Sequence, residues 1–175
     1  MDITAFKKKI KSDPAQPIYF LYGEESFYID KLGEYVVEQT VNPEMKDFNF
    51  TVMYGKEVDS GPVLDSLMRY PMMAPYQVIL LKEAHQMKNF ADLLPYIEKP
   101  METTIFIIEY KKRIDNDTKF LRHLAIRIWP LNLVLFVTIR LQNGSAIMSR
   151  IKDGPFRPTR RGFWRNILEQ IYRRL

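Results

Sequence analysis

Four short runs of β-forming apolar residues, separated by stretches with helical spacing, leave this chain few ways to fold. The runs are Ile18–Tyr22 (IYFLY), Phe48–Tyr54 (FNFTVMY), Tyr76–Lys82 (YQVILLK) and Thr103–Ile108 (TTIFII). A strand that is apolar on nearly every residue must be covered on both faces, which is the mark of a buried parallel sheet. Helical spacing fills the intervals. Ile3, Phe6 and Ile10 lie on one face of Asp2–Lys11, and Phe27, Ile29, Leu32, Tyr35, Val36 and Val37 on one face of Phe27–Gln39. Val58, Val63, Leu64, Leu67 and Met68 lead a third helix to Arg69, and Phe90, Leu93, Leu94 and Ile97 suit a short fourth, kinked at Pro95. A further helix is expected to begin at Thr118–Leu124. Strand–helix alternation of this kind predicts an α/β fold, a parallel sheet flanked by helices.

Composition removes several classes of chemistry. The chain has no cysteine, hence neither disulfides nor thiolate metal sites, and only His85 and His123 as imidazole ligands. No metal or other cofactor is expected. The apolar run Leu131–Ile139 is much shorter than the ~20 residues that span a bilayer, and the N-terminus has no signal-peptide pattern, so a cytoplasmic protein without membrane contact is expected.

The net charge of +5 invites a nucleic-acid reading, but its distribution does not support one. Residues 1–121 carry 15 Lys+Arg against 19 Asp+Glu, whereas residues 122–175 carry 11 against 2. The cation changes too, from 13 Lys and 2 Arg to 1 Lys and 10 Arg. Either cation can neutralise a phosphate, so selection for charge alone does not explain the switch.

The turn after the first strand, Gly23–Ser26, sits where a phosphate-binding loop would sit. Such a loop needs a second glycine for backbone approach, a Lys for the β/γ-phosphates and a hydroxyl for Mg²⁺. Here Gly23 stands alone, Tyr28 and Ile29 occupy the following positions, and Glu24 and Glu25 would repel phosphate. The two acids read instead as a helix cap that complements the dipole. His85 reads as a partly exposed loop histidine rather than a base. Asp115 and Asp117 lack the Gly and Glu of a calcium loop. Lys111–Arg113 reads as solvated surface.

One stretch resists a purely structural reading. Within Ser66–Leu81 (SLMRYPMMAPYQVILL), Met72 and Met73 stand between Pro71 and Pro75, past the end of a helix. Helical periodicity cannot account for a methionine pair in a loop. They either tuck into the core, which spacing alone favours, or form an adaptable apolar knob for a partner.

The series YFLYGEESFYID, FNFTVMYGKEVD, LMRYPMMAPYQVILLKEAHQM and LLPYIEKPMETTIFIIEYKKRIDNDTKFLRHL resembles the delta subunit of the bacterial DNA polymerase III clamp loader, over about Ile18 to Leu124. The resemblance implies a RecA/AAA+-like core whose nucleotide site has degenerated, in agreement with the failed phosphate loop. It implies no catalytic site of the chain's own, within a complex that is a DNA-directed DNA polymerase. It also implies that an apolar wedge before the third strand enters a pocket of the ring-shaped sliding clamp and opens it for loading on DNA. The matching positions are Met72 and Met73, with Pro71, Ala74 and Tyr76 beside them. Methionine stands where the family mostly carries Leu and Phe, a softer wedge. The implied partners are the sliding clamp, the other loader subunits, and DNA through the assembled complex. Two alternatives are a P-loop-like nucleotide-binding protein and a DNA-binding protein acting through the Arg-rich tail.

After Leu124 the family continues with a fifth strand, a segment of the type D-N-x-V-P-x-W-I and a helix of the type L-L-A-E-Y-L-G-x-D-L-S. Neither segment is present. If each codon is rebuilt from the last base of one and the first two of the next, Val137–Ser145 permits the first segment and the stretch ending near Tyr172 permits the second. This reading places a change of frame between about Arg122 and Pro130 and accounts for the Lys-to-Arg switch. It divides the chain into an N-terminal helix and linker (1–17), a clamp-binding domain (18–124) and an aberrant basic tail (125–175), and it would deprive the sheet of its fifth strand.

Overall fold

The computed structural model describes residues 3–112, 134–142 and 145–150, with side chains for most of 7–112. Helix α1 (Ile3–Ser12) precedes strand β1 (Ile18–Gly23) and helix α2 (Ser26–Thr40). A turn at Pro43–Met45 and the four-residue helix α3 (Lys46–Asn49) lead into β2 (Phe50–Tyr54). Helix α4 (Ser60–Leu67), β3 (Gln77–Lys82), a 3-10 turn at Phe90–Leu93, α5 (Leu94–Glu98) and β4 (Thr104–Tyr110) follow. Strands β5 (Val134–Gln142) and β6 (Ser145–Arg150) complete a six-stranded sheet in the order β2-β3-β4-β1-β5-β6. All neighbours are parallel except β5 and β6.

The continuous apolar runs are resolved by alternation into two cores. Ile18, Phe20 and Tyr22 of β1, Ile79 and Leu81 of β3, and Phe106 and Ile108 of β4 face α4 and α5. Tyr19 and Leu21, Val78 and Leu80, and Ile105 and Ile107 face α1 and α2. Because successive side chains point to opposite faces, the central residues of these strands are apolar on both sides, and the buried polar groups Gln77, Thr104 and Glu109 stand at or next to the strand ends. Helix α1 belongs to the second core through the fully buried Ile10, and the Tyr19 hydroxyl donates to the Pro14 carbonyl at 2.7 Å across the linker.

Several features depart from the sequence expectation. Phe27, expected on the apolar face of α2, is exposed on its first turn, and the buried face begins at Ile29. The second strand starts at Phe50 rather than Phe48. Asn42 accepts a hydrogen bond from the Glu44 N–H at 3.1 Å, with Pro43 in the first turn, and this start carries helical backbone through Asn49. Met68 lies outside the buried face of its helix, which ends at Leu67. Finally, the sheet keeps a fifth strand. Val134–Gln142 pairs in parallel with β1 from Ile18↔Val134 to Gly23↔Ile139, because the run VLFVTI can satisfy the second hydrogen-bonding edge of β1. The expected helix at Thr118–Leu124, the Asp115/Asp117 pair, Arg113 and His123 lie outside the described residues.

Gly55 closes the turn after β2, and its N–H donates to the Lys82 carbonyl at 2.8 Å. A β-carbon there would overlap the backbone of Glu83, itself held in the left-handed region at φ 52°. Backbone on both sides cannot yield as a side chain would. Gly55→Ala is expected to destabilise the fold by about 2 kcal/mol, read as a lower urea midpoint at unchanged m-value.

Candidate functional site

The methionine pair does not tuck into the core. Met72 is 58% exposed and Met73 is 89% exposed. Tyr70 and Met68 are exposed beside them in sequence, so one short segment presents four large apolar side chains to solvent. Pro71 and Ala74 are half-buried and Pro75 is exposed. Tyr76 is an anchor rather than part of the tip, since its ring packs against the core beneath α2. Sequence spacing missed Tyr70 and assigned Met68 to the helix face. The signal was the end of α4, after which apolar residues no longer have a core to face.

The backbone of this segment is fixed at both ends by side-chain amides. At its start, Gln77 Nε2 shares its hydrogens among the carbonyls of Ser66 (3.2 Å) and Arg69 and the Thr104 hydroxyl (2.9 Å). Thr104 Oγ1 donates in turn to the Leu67 carbonyl at 3.1 Å. These bonds occupy the carbonyls that a helix end leaves without partners, which is why α4 stops there and the chain turns outward. Nearer the tip, Asn49 Oδ1 accepts from the Met72 N–H at 2.6 Å and Asn49 Nδ2 donates to the Met72 carbonyl at 2.8 Å. The next residue, Met73, adopts φ 52°. A left-handed non-glycine residue costs on the order of 1 kcal/mol and persists only where its neighbours hold it. Asn49 and Thr104 had no place in the sequence-derived site. The available hint for Asn49 was an asparagine inside a run of β-formers, a residue type depleted from strands.

The failed phosphate turn lies at the far end of the sheet. It follows β1, whereas the methionine tip precedes β3, and the two strands run parallel. A strand of six residues separates the two ends by about 20 Å. Glu25 occupies the N-cap position of α2, but its side chain makes no capping hydrogen bond, so the acids there act through charge alone. At this end Lys111 pairs with Asp30 at 2.7 Å, and Lys82 lies 4.0 Å from the same carboxylate. Lys111 is thus an ion-pair partner rather than solvated surface. Glu109, fully buried beneath them, has no hydrogen-bond donor to either oxygen among the described residues. Burial pushes its carboxyl up to about 8; Lys82 opposes the shift and Asp30 reinforces it. His85 stacks edge-on against Tyr110, and burial and Lys112 hold its pKa below the ordinary imidazole range. Among the described residues no cluster of three or more His, Asp or Glu could hold a metal, and no helix is long and apolar enough to cross a membrane.

Comparison with known proteins supplies the family. The model of the family "DNA polymerase III, delta subunit" matches residues 19–128. DNA polymerase III subunit delta of Bacillus subtilis is 23% identical over 111 residues, which are 58% of this chain and 32% of that protein. Among solved structures, the Bacillus subtilis DNA clamp loader delta protein matches with a TM-score of 0.64 and 19% identity, over 79% of this chain and 43% of the other. A DNA polymerase III gamma subunit-related protein from Thermotoga maritima matches with a TM-score of 0.50 and 16% identity, over 82% of this chain and 47% of the other. The chain therefore spans about a third of the length of the curated relative and less than half of each solved structure. A family match over well more than half of these residues, on a fold shared with a clamp loader delta protein, makes this chain a member of the DNA polymerase III delta subunit family.

Proposed function

We propose that this chain is the clamp-binding part of a loader, and that Met72 and Met73 are the wedge it inserts into an apolar pocket of the sliding clamp to open the ring. The observation that carries this reading is the exposure of both methionines on a segment whose backbone is tied to two buried amides. An exposed apolar pair loses little stability for the free protein and gains the full burial term when a pocket covers it. Thioethers adapt their shape to the pocket, so Met suits the task even where a stiffer side chain would bind more tightly. Pro71, Ala74 and Tyr76 shape the tip rather than fill the pocket. The turn after β1 lacks the second glycine and lysine of a phosphate loop, and on this reading ring opening by this chain proceeds without hydrolysis of its own.

The test is a titration of the 175-residue chain with the sliding clamp of the same bacterium, followed by calorimetry. A saturable complex is expected. Failure to form one at micromolar concentrations rejects the proposal. In parallel, ATP with Mg²⁺ is expected to leave the thermal midpoint unchanged, and a rise would favour the nucleotide-binding alternative.

The change of frame between about Arg122 and Pro130 is proposed with it. The family match stopping at residue 128 and the switch from Lys to Arg support it. On this reading the basic tail is no DNA-binding element, and contacts with other loader subunits and with DNA belong to regions beyond the clamp-binding domain. Resequencing of the coding DNA tests it, and an uninterrupted frame through Leu175 in related genes rejects it.

A further inference from the structure

The two hydrogen bonds between Asn49 and Met72 do more than fill a backbone valence. Asn49 is only 5% exposed, so its amide presents almost no surface to a partner that covers the tip. It sits at the end of a four-residue helical turn, where its Nδ2 also lies 3.3 Å from the Met45 carbonyl. Its amide meets the N–H and the carbonyl of one residue at once, the pairing that a neighbouring strand would make. It does so at the residue just before the left-handed Met73. Without it, no hydrogen bond among the described residues restrains the chain from Tyr70 to Tyr76, and Met73 would relax to an ordinary backbone conformation.

We propose that Asn49 is a positioning residue for the wedge: it holds Met72 and Met73 in the binding geometry before the partner arrives, and so sets affinity without contacting the partner. This inference rests on the clamp-wedge reading above. A segment that samples many conformers binds with its intrinsic affinity reduced by the fraction that is competent. Loss of two hydrogen bonds should lower that fraction by roughly tenfold or more. Asn49→Ala removes both bonds. Asn49→Asp keeps the acceptor but turns a carboxylate oxygen toward the Met72 and Met45 carbonyls, so it should fare no better.

The test uses the 175-residue chain with the sliding clamp, well below the thermal midpoint, and amide hydrogen exchange in the free protein. The expected result is that Asn49→Ala and Asn49→Asp each weaken binding by about tenfold or more. The Met72 N–H should lose its protection while the amides of Val78–Leu81 keep theirs, a pattern that general destabilisation would not give. If Asn49→Ala binds as the parent does, or leaves Met72 protected, the positioning role is overturned and the wedge reading stands. If the parent does not bind, or binds equally well without both methionine side chains, the wedge reading fails and this inference with it. Should the variants not fold, the parent alone decides: a protected Met72 N–H supports the latch, and an unprotected one overturns it.

Discussion

Replacing both Met72 and Met73 by alanine should reduce binding to the sliding clamp by roughly 100-fold or more, the scale of losing a hot spot at the centre of an interface. The same change should leave the thermal midpoint within a degree or two, because both side chains are solvent-exposed and exposed substitutions usually stay within about 0.5 kcal/mol. The pairing of these outcomes gives the experiment its force. A core residue would lose stability and binding together, whereas an exposed wedge loses binding alone. Phe27, exposed on the first turn of α2, provides the control, since its removal deletes apolar surface away from the tip. A pull-down in which the double variant retains the clamp as well as the parent does would reject the wedge, and equal loss with Phe27→Ala would show nonspecific stickiness.

The other large effect concerns pH. Glu109 has a folded pKa raised from 4.5 to about 8, chiefly through burial. A raised carboxyl pKa means that the folded state holds a proton that the unfolded state releases. The associated stability is fully present below the unfolded value near 4.5 and is lost as pH rises through about 8. Between pH 5 and pH 8 the loss should be on the order of 3 kcal/mol, a large share of a domain's net stability. Glu109→Gln removes the titration and keeps the shape, so it should flatten this slope and stabilise the protein at pH 8. Urea unfolding of parent and variant across that range measures the difference. Parallel pH profiles would show that Glu109 is ionised in the fold and stabilised by Lys82 and Lys111. The packing leaves the carboxylate little room to move, since a β-carbon on Gly33 of α2 would already overlap it.

Much of the fold was legible because its signals are local. Ile18–Tyr22, Val78–Leu81 and Ile105–Ile108 are apolar throughout, and only a strand covered on both faces asks for that pattern. Both cores then follow from period-two alternation. That Gly23–Ser26 lacks the second glycine and the lysine of a phosphate loop is likewise a fact about the chain itself. Errors arose where a residue outside the run decided the outcome. Phe48 and Asn49 look like strand, but the Asn42 cap and the turn at Pro43 carry helical backbone past them. Met68 has helical spacing, but Gln77 and Thr104 end the helix before it. The loss of the fifth strand, inferred from the tail, was overturned because the β1 edge accepts an apolar β-branched run whatever frame it came from.

The methionine tip shows the same division. By itself the sequence determined that Met72 and Met73 lie outside any helical period, between two prolines, in a chain without the residues of hydrolytic or metal chemistry. It could not determine whether they point inward, because exposure depends on what occupies the space around them. The tertiary structure decided that through residues far along the chain. Asn49, 23 positions before Met72, and Thr104, 37 after Leu67, supply the hydrogen bonds that turn the segment outward. Such bonds have no spacing rule and arise only when β2, β3 and β4 are already side by side. The sheet also places the tip and the Gly23–Ser26 turn at opposite ends, a separation that parallel strand direction dictates.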